Sequence, residues 1–168
     1  MNYGQALSNL IGERNETQEA PAKVAAVSSA SISKYIRGTR KPPKDVMRKT
    51  VEHYEDFRLT QAAQEEVSGP ACVPYLDNSD LHPSTVHIKV QEETEEAMEA
   101  FHAVPIAKRK ERITPADREA IQKAITEGIE AITAITHYVA ILCREYGFSW
   151  LGVWKAHRSE LKAKKYIN

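Results

Sequence analysis

The chain has 168 residues, enough for one ordinary domain or two small ones, and 42% of them are apolar, which supports packed cores. Its 23 basic and 23 acidic residues cancel to a formal net charge of zero, which argues against a strong non-specific binder of polyanions. No stretch approaches 18 uninterrupted apolar residues, the N-terminus lacks a basic-then-apolar leader, and Cys72 and Cys143 stand alone. No membrane span, secretion signal, disulfide framework or zinc pattern is therefore expected, and the thiols read as reduced structural groups in a cytoplasmic protein.

The zero net charge hides a division. Residues 1–60 hold ten Lys or Arg against seven Asp or Glu, residues 61–107 one against nine, and residues 108–168 twelve against seven. Two basic ends thus flank an acidic middle, and the pattern predicts three parts: 1–60, 61–107 and 108–168.

In chain order, Ala6, Leu7, Leu10 and Ile11 give Tyr3 to Glu13 one apolar helical face. Thr17 is placed to cap a second helix that runs to Val27, and Ser28 to cap a third over Ser29 to Arg37, with Gly38 as a left-handed stop. Thr39 to Pro43 is a basic turn, and Val46, Met47, Thr50, Val51 and Tyr54 carry a helix over Lys44 to Tyr54. Residues 65–85 are rich in Gly, Pro, Ser and Asp, the chemistry of a linker. Thr85–Val90 alternates, so a short strand is expected there, and Gln91 to Phe101 reads as an acidic helix. A basic knot, Lys108, Arg109, Lys110 and Arg112, precedes the helix start Thr114-Pro115-Ala116-Asp117. Beyond it, Ile121, Ile125, Gly128, Ile132, Ile135, Val139, Leu142 and Tyr146 alternate spacings of four and three. That is a heptad seam, closed by Gly147. Ser149 caps a final helix in which Trp150, Leu151, Trp154 and Leu161 are expected to face inward and the lysines outward.

The segment from Thr17 to Gly38 resembles the helix-turn-helix of the XRE (Cro/C1-type) regulators. The opening Ser/Thr-Gln-Glu of that family falls on Thr17, Gln18 and Glu19, its buried alanine on Ala22, and its turn valine on Val27. Its Ile-Ser-Lys/Arg run falls on Ile32, Ser33 and Lys34, and its closing Arg-Gly with basic residues and proline on Arg37, Gly38, Arg40, Lys41 and Pro42. The resemblance spans about residues 3–57. Three positions depart from it. The usual leucine of the second helix is Pro21, which removes a core side chain, the glycine of the turn is Ala26, and the usual acid near the end of the third helix is Ile36, expected to face a partner.

The resemblance implies an all-α fold: a lambda-repressor-like DNA-binding domain over 1–60, with a helical oligomerisation region over 108–168. It places a double-stranded DNA operator against Gln18, Ser28, Ser29, Ala30, Ser31, Ser33, Lys34, Arg37, Arg40 and Lys41. Arg37, Arg40 and Lys41 would hold phosphates, and the serines would discriminate bases weakly, so paired half-sites and a homodimer are expected. Ile121, Ile125, Ile132, Ile135, Val139 and Leu142 are the candidate dimerisation seam. The setting implied is a phage or mobile-element repressor. A protein-interaction module, such as an antirepressor using its C-terminal helices and Trp150 and Trp154, is the alternative.

Catalytic readings find little support. No two histidines stand at ligand spacing, no HExxH, GxGxxG or phosphate loop occurs, and the helical C-terminal third disfavours the β-rich self-cleaving domain of some repressors. No enzyme activity, cofactor or metal is expected. Glu92, Glu93, Glu95, Glu96 and Glu99 read as a solubilising helix face.

Overall fold

The computed structural model describes residues 1–168, and all of its regular structure is helical. Its helices are α1 (Tyr3–Glu13), α2 (Glu19–Ala25), α3 (Ser29–Ile36), α4 (Lys44–Tyr54), α5 (Phe57–Ser68), α6 (Pro83–His102), α7 (Pro115–Tyr146) and α8 (Trp150–Ala163). A 3-10 turn, Lys110–Arg112, precedes α7. The expected strand at Thr85–Val90 is instead the opening of α6, whose Pro83 sits in the first turn and whose His82 ring accepts from the Ser84 amide. Val86 and Val90 are four residues apart, so an alternating pattern also makes one helical stripe, and the helix buries both. The acidic segment beginning at residue 61 likewise contains the rest of α5, which Asp56 caps by accepting from the Leu59 amide at 2.8 Å.

The chain forms two compact units. The first takes in Met1–Asp77 and Tyr146–Asn168, the second Asn78–Glu145. The first therefore combines α1–α5 with α8, and the second is the α6–α7 hairpin. Their charges oppose: 15 basic and 11 acidic residues give the first +4, while 8 and 12 give the second −4.

In the first unit α1 packs on α3 and α5, α2 on α3 and α4, and α4 on α5. Tyr3, Leu7, Leu10, Ala22, Ile32, Tyr35, Val46, Met47, Tyr54 and Leu59 share one core. Pro21 is fully buried within this unit, so its ring fills core space instead of vacating it. Ile36 packs half-buried against the same core and is not presented outward as expected. Tyr3 Oη donates to Thr50 Oγ1 at 2.7 Å, while that threonine hydroxyl donates back to the Val46 and Met47 carbonyls. Burial pushes the Tyr3 phenol up to about 12, so it is a neutral donor at neutral pH. One residue on, α1 nearly touches α3. A Cβ on Gly4 would lie 2.3 Å from the Tyr35 carbonyl oxygen, an approach only glycine permits.

α8 closes this unit. The Ser149 hydroxyl caps it by accepting from the Gly152 amide at 2.9 Å and also donates to the Glu55 carboxylate. Trp150 is buried with its ring edge-on to Phe57 at 5.1 Å. Trp154, expected inside, is 45% exposed and stacks edge-on to Trp150 along the helix.

In the second unit Thr114 and Asp117 cap α7 reciprocally, Asp117 N–H donating to Thr114 Oγ1 at 3.2 Å and Thr114 N–H to Asp117 Oδ2 at 2.9 Å. Lys108 of the basic knot donates to both Asp117 oxygens at 2.7 Å, which with the Thr114 bonds holds that carboxyl down at about 2. α6 turns inward Val86, Val90, Glu93, Ala97 and Ala100, and the Phe101 ring lies 3.3 Å from where a Gly128 Cβ would stand. By length and composition α7 could cross a bilayer, a property that a search for uninterrupted apolar runs misses. It carries Glu127 and Glu130 at mid-length, however, and an ionised carboxylate at the centre of a span costs about 2.5–3.5 kcal/mol.

The contact of Gly4 with Tyr35 is a backbone contact that no side chain can yield. Gly4→Ala is expected to lower stability by about 3 kcal/mol, the upper range for overpacking, with the loss read as a shift in urea midpoint at unchanged slope.

Candidate nucleic-acid interface

α2 and α3 are joined by three residues, and the geometry of that link decides what α3 can present. α2 begins one residue later than expected: its N-cap is Gln18, without a side-chain cap bond, and the Thr17 carbonyl accepts from the Ala20 amide. At its far end Ala26 takes φ 57° and ψ 46°, the left-handed region that favours glycine. This is the turn position at which glycine was expected from the family pattern. The Val27 amide then donates to the Ala22 carbonyl at 2.9 Å, and Lys49 Nζ from α4 donates to the Ala25 carbonyl at 3.2 Å. Two of the last carbonyls of α2 are thus satisfied, one by the turn and one by a neighbouring helix.

Ser28 opens α3 as expected. Its Oγ accepts from the Ser31 amide at 3.2 Å and lies 3.0 Å from Ser31 Oγ. Those two hydroxyls are therefore partly committed to the cap. Ile32 and Tyr35 bury one side of α3, leaving Ser29, Ala30 and Lys34 exposed and Ser33 half-buried. Ser29 and Lys34 make no side-chain hydrogen bond, so their polar groups are available to a ligand. Beyond α3 the chain turns at Gly38, φ 69°, with the Thr39 hydroxyl donating to the Lys34 carbonyl at 3.2 Å. Arg37 folds back, its Nε donating to the Ser33 carbonyl at 3.2 Å. Arg40 lies over the Tyr35 ring at 5.9 Å, and Lys41 faces Glu66 at 3.8 Å. Exposed ion pairs of this length contribute little, so neither contact removes these cations from reach of a phosphate. Gln18 is half-buried at the start of α2.

Two side chains that spacing alone does not single out brace the start of α2. Tyr54 Oη donates to Glu16 Oε2 at 2.8 Å, and Arg14 both donates to the Tyr54 carbonyl at 3.1 Å and lies 5.1 Å above its ring. Burial, together with the bond to Glu16, drives the Tyr54 phenol well above the usual tyrosine range. Glu16 precedes Thr17 and Gln18 directly, so the end of α4 sets where α2 begins. Only the pairing of Tyr54 with a carboxylate 38 residues away reveals this, and one sequence contains no signal for it.

The expected seam on α7 is largely uncovered within its own unit. Ile125, Ile129 and Ile132 are 53, 59 and 56% exposed and Ile135 is 42% exposed, while Ile121, Val139 and Leu142 are half-buried. The residues α7 buries are Ala124, Ala131, His137, Ala140, Ile141 and Cys143. Alanines thus take half of the inner positions, beside His137, Ile141 and Cys143, while Ile125, Ile129, Ile132 and Ile135 line an outer stripe. Cys72 and Cys143 are free thiols.

Comparison of the chain with protein-family models, with curated proteins and with solved structures gave no match.

An alanine held at φ 57° is strained by roughly 1 kcal/mol relative to glycine. Ala26→Gly is accordingly expected to raise the melting temperature by a few degrees, measured by circular dichroism.

Proposed function

We propose that this chain is a sequence-specific DNA-binding transcription regulator that acts as a homodimer, in the manner of the XRE-type repressors. The observation that carries the reading is the α2–α3 link. Its left-handed residue at Ala26 joins two short helices tightly, and α3 offers Ser29, Ala30 and Lys34 outward from a face anchored by Ile32 and Tyr35. A helix so placed suits the major groove, with its N-terminal residues at the base edges. Arg37, Arg40 and Lys41 follow within one turn and supply phosphate contacts, and Gln18 stands at the first turn of α2. The net charge of +4 on this unit agrees with a polyanionic partner.

Short serines at the reading positions discriminate bases weakly, so two half-sites are needed to reach useful specificity. Pairing of two chains is assigned to the α7 stripe. A lone hairpin with four isoleucines uncovered exposes the surface that a coiled-coil seam buries, and a second copy presents the matching stripe. Operator occupancy by such a dimer would repress by excluding polymerase. The reading places the protein in the cytoplasm with no enzymatic step.

Two experiments test it. Selection of bound sequences from a random duplex library should yield a paired site, and Ser29→Ala with Lys34→Ala should weaken binding to it at least tenfold, since each base contact is worth about 1–3 kcal/mol. Retention of specific binding in that double variant, with helicity intact, would reject α3 as the reading helix. Enrichment of no sequence, together with a stoichiometric protein partner, would favour the antirepressor alternative.

The second experiment addresses assembly. Ile132→Asp with Ile135→Asp is expected to convert a dimer into monomers in light scattering, and a double variant that remains dimeric would remove the stripe from the interface.

A further inference from the structure

The inward positions of α6 follow the spacings four, three, four, three: Val86, Val90, Glu93, Ala97 and Ala100. Four are small or branched apolar residues and one is a glutamate. A carboxylate in the seam of a two-helix hairpin requires a compensating charge or a full set of hydrogen bonds. Glu93 is only 8% exposed, and Lys89, one turn earlier, reaches its Oε1 at 2.7 Å. Its other oxygen, Oε2, is buried with no hydrogen-bond partner.

The neighbouring helix adds to the imbalance. Glu127 and Glu130 of α7 bring carboxylate oxygens to the same place, so that one oxygen from each of the three glutamates lies within 4.8 Å of the others. Glu127 also has a buried Oε2 without a hydrogen-bond partner. Three carboxylates against one lysine leave two negative charges, and two of the three glutamates each keep a buried oxygen without a hydrogen-bond partner. Neighbouring acids on α6 differ: Glu92, Glu95, Glu96 and Glu99 are exposed, where water screens them.

We propose that Glu93, Glu127 and Glu130 form a binding site for a hard divalent cation of calcium-like size, bridging α6 and α7. An all-oxygen, all-carboxylate donor set selects hard ions over zinc or copper. Spacing sets the size. Calcium binds oxygen at about 2.3–2.6 Å, so oxygens on opposite sides of it stand roughly 4.6–5.2 Å apart, whereas the shorter bonds of magnesium, about 2.0–2.1 Å, need closer oxygens and near-octahedral order. Oxygens that lie within 4.8 Å of one another fall inside the span of the larger ion's shell. Glu130 is exposed, so water completes the coordination from that side and the ion has an entry path. Lys89 holds Glu93 Oε1 at 2.7 Å and so competes with the ion for the charge of that carboxylate. The assignment is independent of the DNA-binding reading and stands or falls without it.

The test uses the full chain, stripped with a chelator and then titrated with calcium and with manganese chloride by calorimetry. Saturable uptake of one ion per chain, with a melting temperature several degrees above that of the stripped protein, is expected. Glu127→Gln and Glu93→Gln should each weaken binding at least tenfold. Lys89→Met should tighten it, because a competing cation is removed. Glu95→Gln with Glu96→Gln serves as the control, removing two negative charges away from the site where each test variant removes one, and should leave affinity unchanged. Absence of saturable uptake of either ion at millimolar concentration would overturn the proposal, as would a loss in the control variant equal to that in Glu127→Gln. The wild-type stoichiometry decides the matter even where a substitution within the hairpin unfolds it.

Discussion

Two consecutive residues in the first turn of α1 hold α3 and α4 in place. Tyr3 donates into the core to Thr50, whose own hydrogen goes to the α4 backbone, so the hydroxyl pair fixes α1 against α4. Gly4 allows the same turn to rest on the Tyr35 carbonyl, and so fixes α1 against the end of α3. α3 is only eight residues long and could not hold its own conformation in water. Its direction is therefore set by its neighbours: by Ala26 and Lys49 at the preceding link, and by Gly4 and Tyr35 at its far end. Ser29 and Lys34 inherit their geometry from residues outside the exposed face of α3.

The charge distribution acquires a sharper form in the folded chain. Division by linear segments separates basic ends from an acidic middle, but the compact units regroup them, with α8 joining α1–α5. The unit carrying α3 has net +4 and the hairpin net −4. By Coulomb's law a polyanion would be attracted by the first unit and repelled by the second. Much of the hairpin's excess lies on the exposed side of α6, and the remainder converges at Glu93, Glu127 and Glu130.

Local signals in the sequence were strong where chemistry and periodicity coincide. The bounds of α1, α4 and α7, the start of α8, the Ser28 and Ser149 caps and the stops at Gly38 and Gly147 all follow from side chains within one turn of the feature they govern. Thr85–Val90 misled because Val86-Ile88-Val90 satisfies both the strand period and the four-residue helical step, and only the 20-residue length of α6 decides between them. α5 was hidden because its cap, Asp56, follows directly on α4 and its body runs into the acidic stretch, where its apolar residues are few. Trp154 was expected inside because it shares a helix with Trp150, yet Phe57 and Glu55 engage only the first turn of α8. At the candidate interface the exposed residues were legible and their braces were not: Arg14 with Tyr54, and Lys49 with Ala25, are pairings over long sequence separation. The glutamate cluster escaped for the same reason. Its members are ordinary surface residues until α6 and α7 fold against each other.

The second unit is an insert in the chain order of the first. Five helices of the first unit are complete by Ser68, but the sixth, α8, begins only at Trp150, after the whole hairpin has been made. During synthesis the face of α5 near Phe57 must therefore wait through some eighty further residues before Trp150 arrives to cover it. The entropy lost in closing so long a loop grows only logarithmically with its length, so the delay costs the finished fold little. It makes the nascent chain the vulnerable form, however. A ribosome that stalls within the hairpin releases a protein able to present α3 but lacking the helix that seals its own domain.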